Sequence, residues 1–524
     1  MAAPDLGFVE MMRWAWRQLT SMRTALILLL LLALAAIPGS VVPQSDVDAM
    51  RANNWKADHP DLTPIYEKLG LFSVYDSVWF SAIYLLLVVS LVGCILPRLR
   101  VYWRGFRAAP PKAPRNLTRL PDSDSYLTDA PTDEVLERAA EVLRKRRFRV
   151  VVADGAVSAE RGYLREAGNL VFHGALLVVL AGVAMGSLMG YQGGVIVWKD
   201  GSFSNNLTQY DDFKAGRFVG VEDLDPFRFT VDDFDVEWID DPTNPRYGMA
   251  RKFVAGIRYT EKPGAEEKSY DLRVNHPLSV DGTDVFLIGH GYAPVITVRD
   301  GEGEIVSSGP VPFLPEDQAT FTSFGVVKAS GATPQIGLEG MLYPTYSGDP
   351  NNLGSVFGSL GNPLISMQAY VGDLGLASGS QSVYVLDKTN MKLLGGTTEN
   401  LFRVDLCPAK IDGEENARCE TSTVELPDGA GSVTFEDIKP WVRVQISQTP
   451  GKMVALGGMI AALAGLLASL FIRPRRMWVR ARREDDGSTV VEVAALDRSS
   501  GGEVGEEIVE VVAALKGETV KEEL

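Results

Sequence analysis

Histidine and cysteine are the scarce, chemically capable residues of this 524-residue chain, with four of the first and three of the second. His173 has the least comfortable setting. It lies near the start of 168-GNLVFHGALLVVLAGVAMGSLMG-190, an apolar run long enough to cross a bilayer. A polar side chain inside a span is costly and tends to face a partner or a cavity. Two chemistries fit it. One is an interhelical hydrogen bond near the interface. The other is axial ligation of a metal centre such as haem, because neutral imidazole is a good ligand for iron. His276 and His290 stand in 274-VNHPLSVDGTDVFLIGHGY-292, which reads as strand, turn and strand. They could face one another and ligate a metal or haem, or serve as hydrogen-bonded structural residues. Cys407 and Cys419 suit a disulfide in an oxidising compartment. Their spacing is not that of a C-x-x-C dithiol. Cys94, inside an apolar run, reads as a small hydrophobe. The chain has no P-loop, G-x-S-x-G or H-E-x-x-H signature. Its many carboxylates between 191 and 449 read as a solvated acidic surface.

These residues must be positioned by a chain that alternates between lipid and water. Four uncharged runs, at 24–42, 77–96, 169–190 and 453–472, are long enough to span as helices. The first resembles a secretory signal peptide. Its length and the preceding Arg13, Trp14, Trp16 and Arg17 favour a retained anchor. The net charge of −16 argues against a nucleic-acid partner held by bulk electrostatics. Arginines precede the first run, follow the second (Arg98, Arg100, Arg104, Arg107) and follow the fourth (Arg473, Arg475, Arg476, Arg480, Arg482, Arg483). Under the positive-inside rule these flanks are cytoplasmic. The expected order is a cytoplasmic N-terminus 1–23, span 24–42, outer loop 43–76, span 77–96, cytoplasmic segment 97–168, span 169–190, outer domain 191–449, span 450–472 and cytoplasmic tail 473–524.

The segment 191–449 consists of short Val-, Ile-, Phe-, Tyr- and Thr-rich runs between Gly, Pro, Asp and Asn, as in 227-FRFTVDDFDVEW-238. That pattern predicts an all-β domain, sandwich- or barrel-like. The first cytoplasmic segment opens with a Pro- and Arg-rich linker, 108–121. A helix over 131–147 follows, then a hairpin over 148–162 turning at Asp154-Gly155. The tail mirrors it, with a hairpin over 477–497 turning near Asp486-Gly487 and a helix over 503–516. Neither segment can bury a core alone. Either they pack together into one α/β domain or they hang as two separate appendages. The fold class expected is thus a multi-pass α-helical membrane protein of four transmembrane helices. It carries a large extracytoplasmic all-β domain and small cytoplasmic α/β segments.

Five stretches in order carry a resemblance over nearly the whole length. They are 20-TSMRTALILLLLLALAAIPGSVVPQ-44, 169-NLVFHGALLVVLAGVA-184, 275-NHPLSVDGTDVFLIGHGYAP-294, 362-NPLISMQAYVGDLGLASGSQSVYVLD-387 and 425-ELPDGAGSVTFEDIKPWVRVQISQTPG-451, the last running into 473-RPRRMWVR-480. With them the chain resembles the ResB (CcsB) family of cytochrome c biogenesis proteins. The resemblance implies a cell-membrane subunit of the system II cytochrome c synthase, working with a ResC (CcsA)-type partner. The pair would carry haem b outward and join it to the C-x-x-C-H thiols of apocytochrome c. A thioredoxin-like thiol reductase would keep those thiols reduced. The tryptophan-rich haem-handling motif of the partner is absent from this sequence, so the chain resembles the ResB half alone. His173 matches the family's third-span position, which implies a haem ligand there. The competing readings are a membrane-anchored binding or sensor protein and an accessory respiratory-complex subunit.

Overall fold

The computed structural model describes residues 7–45, 49–350, 352–376, 384–396, 402–497 and 504–518. The chain divides into two compact units, one of residues 1–183 and 452–524 and the other of 184–451.

In the first unit, four helices are long and apolar enough to cross a membrane: α2 (Met22–Val41), α5 (Val78–Arg107), α7 (Arg165–Met189) and α8 (Lys452–Phe471). Ser21 and Ser77 cap α2 and α5, their hydroxyls accepting from the Thr24 and Phe80 amides. The 30 residues of α5 extend about 45 Å, against an apolar bilayer core of about 30 Å. Its last turns, which carry Arg98 to Arg107, therefore run on past the apolar stretch. An amphipathic helix, α1 (Phe8–Leu19), precedes α2. Ser90 of α5 donates to Leu19 O at 2.6 Å and Cys94 to Thr20 O at 3.1 Å, which fixes the α1–α2 junction against α5.

The stretch between α2 and α5, read from sequence as a short loop, contains helices α3 (Ala49–Asp58) and α4 (Thr63–Leu69). Trp55 stacks on His59 and Tyr66 and meets Phe72 edge-on, and these aromatic contacts hold the two short helices together. Buried Gln44 ties the segment back. Its amide donates to Val42 O and Leu71 O, and its carbonyl accepts from the Val74 amide.

The two polar segments form one domain. A five-stranded antiparallel sheet runs in the order Asp122–Thr128, Thr489–Asp497, Arg475–Arg483, Ala156–Arg161, Arg149–Ala153. The central join is between the segments, with Val157 opposite Val479. Helices α6 (Thr132–Lys145) and α9 (Gly505–Lys516) cover one face. Leu136, Leu143, Ile508 and Val512 press on Val157, Val479 and Val493. The Pro-rich linker lies on the other face. Leu117 packs on Trp478, whose indole N–H donates to Pro111 O at 2.9 Å. Ion pairs stitch the same join. Glu507 bridges Arg475 (2.6 Å) and Arg161 (2.9 Å), and Glu160 bridges Arg149 (3.1 Å) and Arg476 (3.2 Å).

The second unit is β-rich, and its helical turns are short. Its spine is a pair of long antiparallel strands, Thr283–Arg299 and Gly431–Gln448, within a seven-stranded sheet. One face of the spine packs first against a four-stranded sheet and then against a six-stranded one. Val285, Leu287, Val442 and Val444 join Phe203, Phe229 and Ile257 in one core. Ile296, Val298, Val433 and Phe435 join Leu338, Ile365 and Met367 in the other. The domain is therefore two stacked sandwiches on a shared spine. Strict alternation after Leu287 would turn Gly289 and Gly291 inward. The register instead shifts between Leu287 and Gly289, leaving Ile288 exposed and His290 on the inner face.

Candidate intramembrane site at His173

His173 sits near the N-terminal end of α7, and α7 and α8 touch through small residues. A β-carbon on Gly168 would meet Ser469 N at 2.7 Å and Gly465 O at 2.8 Å, and one on Gly458 would meet Val179 at 2.8 Å. The contact stripe on α7 is thus Gly168, Phe172, Ala175 and Val179. Four-residue spacing also sets Gly182, Gly186 and Gly190 in a row further along the chain. The last two meet Thr449 and Gln448 at the end of the spine, inside the β-rich unit.

At 3.6 residues per turn, His173 lies about 130° round α7 from the stripe that meets α8. It is half-buried, and the edge of its ring meets Phe172 with centroids 5.1 Å apart. Its Nδ1 is 2.8 Å from Asn169 O. A carbonyl can only accept, so Nδ1 carries the proton and donates. A neutral imidazole then presents a bare lone pair at Nε2. No described residue hydrogen-bonds that nitrogen. The helix backbone thus sets the tautomer and ring direction, as an outer-shell carbonyl does at many metal-ligating histidines. Among the described residues no cluster of three or more His, Cys, Asp or Glu could hold a metal ion. The chain therefore offers one nitrogen ligand on a face that α8 leaves open.

The other histidines go elsewhere. His276 is exposed in the turn before strand Leu278–Val280, with Nδ1 3.3 Å from Val274 O. His290 is buried on the spine where the two sandwiches meet. It stacks on Phe321 at 4.7 Å and touches Phe253 at 4.6 Å, Phe234 at 5.3 Å and Trp238 at 5.9 Å. Burial pushes its pKa down from 6.5 to about 4. Between those values the unfolded chain binds a proton that the folded chain refuses, so stability falls as pH drops from 6.5 toward 4. The full difference is about 3 kcal/mol. His290→Phe is expected to flatten this acid limb in denaturant unfolding of the full-length protein. An unchanged slope would mean that His290 is protonated at little cost. Cys407 and Cys419 are joined by a disulfide, Sγ–Sγ 2.03 Å.

Four membrane-length helices and a large sheet-rich domain define the class, a multi-pass membrane protein. The sequence matches the ResB-like family over residues 22–509, and the chain belongs to that family. It is similar to the cytochrome c biogenesis protein CcsB of Synechococcus sp. strain CC9311, with 28% identity over 54% of this chain and 61% of the relative. The CcsB proteins of Synechococcus elongatus (28% identity, 51% and 56%) and Gloeobacter violaceus (27%, 52% and 55%) are further relatives. The chain thus spans between half and two thirds of the length of these relatives.

Proposed function

We propose that this chain is the ResB-type subunit of a system II cytochrome c synthase. With a ResC (CcsA)-type membrane partner it moves haem across the membrane and attaches it to C-x-x-C-H apocytochrome c on the outer face. The observation that carries the reading is His173, with Nδ1 committed to Asn169 O and Nε2 unengaged on the side of α7 away from α8. A partner helix carrying a second histidine on that side would complete a six-coordinate iron between two imidazoles. Family membership and relatives named for cytochrome c biogenesis support the same reading.

The topology proposed places both termini and the α/β domain in the cytoplasm and the β-rich domain outside the cell membrane. The Cys407–Cys419 disulfide supports an oxidising compartment for the latter, and the arginine flanks support the former. The β-rich domain holds the apocytochrome on the outer side, while a thioredoxin-like reductase keeps the acceptor thiols reduced. Haem is cargo here, not a resident group. The test is removal of the gene, with covalent haem on membrane c-type cytochromes and non-covalent b-type haem measured together. Loss of the first alone is the expected result. Persistence of both would return the chain to a binding, sensor or accessory role.

A further inference from the structure

A cavity of about 440 Å³ opens where α5, α7 and α8 adjoin the α/β domain. Tyr102 and Phe106 line it from the last turns of α5, Tyr163 from the turn before α7 and Arg165 from its first residue. Phe106 and Tyr163 form one aromatic wall, with centroids 5.7 Å apart. Arg149 braces that wall from behind, its guanidinium 4.6 Å from the Tyr163 ring. Asn169, whose carbonyl orients His173, also lines it.

The charges are unevenly satisfied. Glu160 is held between Arg149 and Arg476. Glu166 lines the rim and has a partner of its own. Arg165 is fixed differently. Its Nε donates to Ser469 O at 3.2 Å, and among the described residues no carboxylate pairs with it. An anchored, half-buried guanidinium thus keeps its terminal donors for something else. The Tyr102 hydroxyl is buried there, and among the described residues it has no hydrogen-bond partner. A cation and an unmet hydroxyl beside aromatic rings, at the edge of the apolar spans, match a molecule that is acidic at one end and apolar along its body.

We propose that this cavity binds the acidic head of an amphiphile, with a carboxylate or phosphate on Arg165 and the apolar body against Tyr102, Phe106 and Tyr163. Two sources share this chemistry, an anionic phospholipid and the propionates of a porphyrin. The porphyrin source rests on the function proposed above, and the phospholipid source does not.

The test uses the full-length chain in nanodiscs of phosphatidylcholine with a minority of phosphatidylglycerol. Native mass spectrometry reads retained lipid. Tryptophan quenching, with Trp103 as the nearby reporter, reads titration by iron-free protoporphyrin IX and by its dimethyl ester. One acidic probe is expected to bind about tenfold better than its neutral counterpart. Arg165→Gln should abolish that preference and Arg165→Lys should keep part of it. Preference for phosphatidylglycerol alone assigns a lipid site. Preference for the porphyrin diacid alone assigns a cargo vestibule. Because that probe carries no iron for His173 to ligate, its binding reads the cavity separately from the haem-ligand reading. Should Arg165→Gln not fold, the acid-against-neutral comparison on the wild-type chain decides by itself. No preference for either acid, or a preference that survives Arg165→Gln, overturns the proposal.

Discussion

On the function proposed above, His173→Ala is expected to remove most of the haem that co-purifies with this chain and its proposed ResC (CcsA)-type partner. Loss of an outer-shell partner of a metal ligand typically costs 10–100-fold in affinity, so loss of the ligand itself should cost on the order of tenfold or more. Imidazole added to the medium should restore part of the haem, because the cavity left by the side chain admits the free base. His173→Gln separates the two chemistries open to this residue. It preserves a hydrogen-bonding side chain at the same depth but offers no imidazole. If His173 only bonds within the helix, the Gln variant keeps wild-type haem yield and absorption spectrum. If Nε2 ligates iron, both change and imidazole moves the spectrum back. Equal yield and spectrum in all three proteins would remove the residue from the haem path.

Glu507→Ala should unlatch the tail from the rest of the α/β domain. The Glu507 carboxylate is 10% exposed and bridges Arg161, from the segment before α7, to Arg475, from the segment after α8. Removing it leaves Arg161, itself 35% exposed, without a carboxylate among the described residues, while Arg475 keeps Asp497 at 3.8 Å. Breaking the bridge from one side costs about 1–3 kcal/mol, because one charge is left partly desolvated. The measurable outcome is faster proteolysis within residues 475–516 and a lower unfolding midpoint. Replacing Arg161 and Glu507 together with methionine should recover much of the loss, since both charges then disappear and Arg475 keeps Asp497 beside it. If Glu507→Ala alone leaves both protease resistance and midpoint unchanged, the bridge contributes little and the valine-rich sheet holds the tail.

The apolar spans were legible because twenty uncharged residues in a row have few other uses. Their ends were not. The helix containing 77–96 runs on to Arg107, since the arginines and leucine there are good helix formers and outweigh Pro97 and Gly105. Both polar hairpins and their helices were readable from Asp-Gly turns and helical periodicity. That they share a sheet was not, because the register between Ala156–Arg161 and Arg475–Arg483 joins positions far apart in the chain. Strand Asp122–Thr128 escaped notice because its sequence, DSDSYLT, is largely polar and belongs to an exposed edge. At the candidate site the identity of His173 was visible, whereas the engagement of its Nδ1 needed coordinates. The inward turn of His290 depends on one extra residue in the spine, and no local pattern announces a bulge. Arg165 gave no signal at all. Its interest lies in having no paired carboxylate among the described residues.

The shared sheet also sets an order of events during synthesis. Strand Ala156–Arg161 leaves the ribosome well before its neighbour Arg475–Arg483, with the whole β-rich segment made in between. At 5–20 residues per second the roughly 300 intervening residues take about 15–60 s. Through that interval the first half-sheet waits with an unpaired valine-bearing edge, the kind of surface that recruits chaperones or other chains. The α/β domain can close only after α8 has been made. A chain stalled or cut before Arg475 would keep the edge of Ala156–Arg161 unpaired.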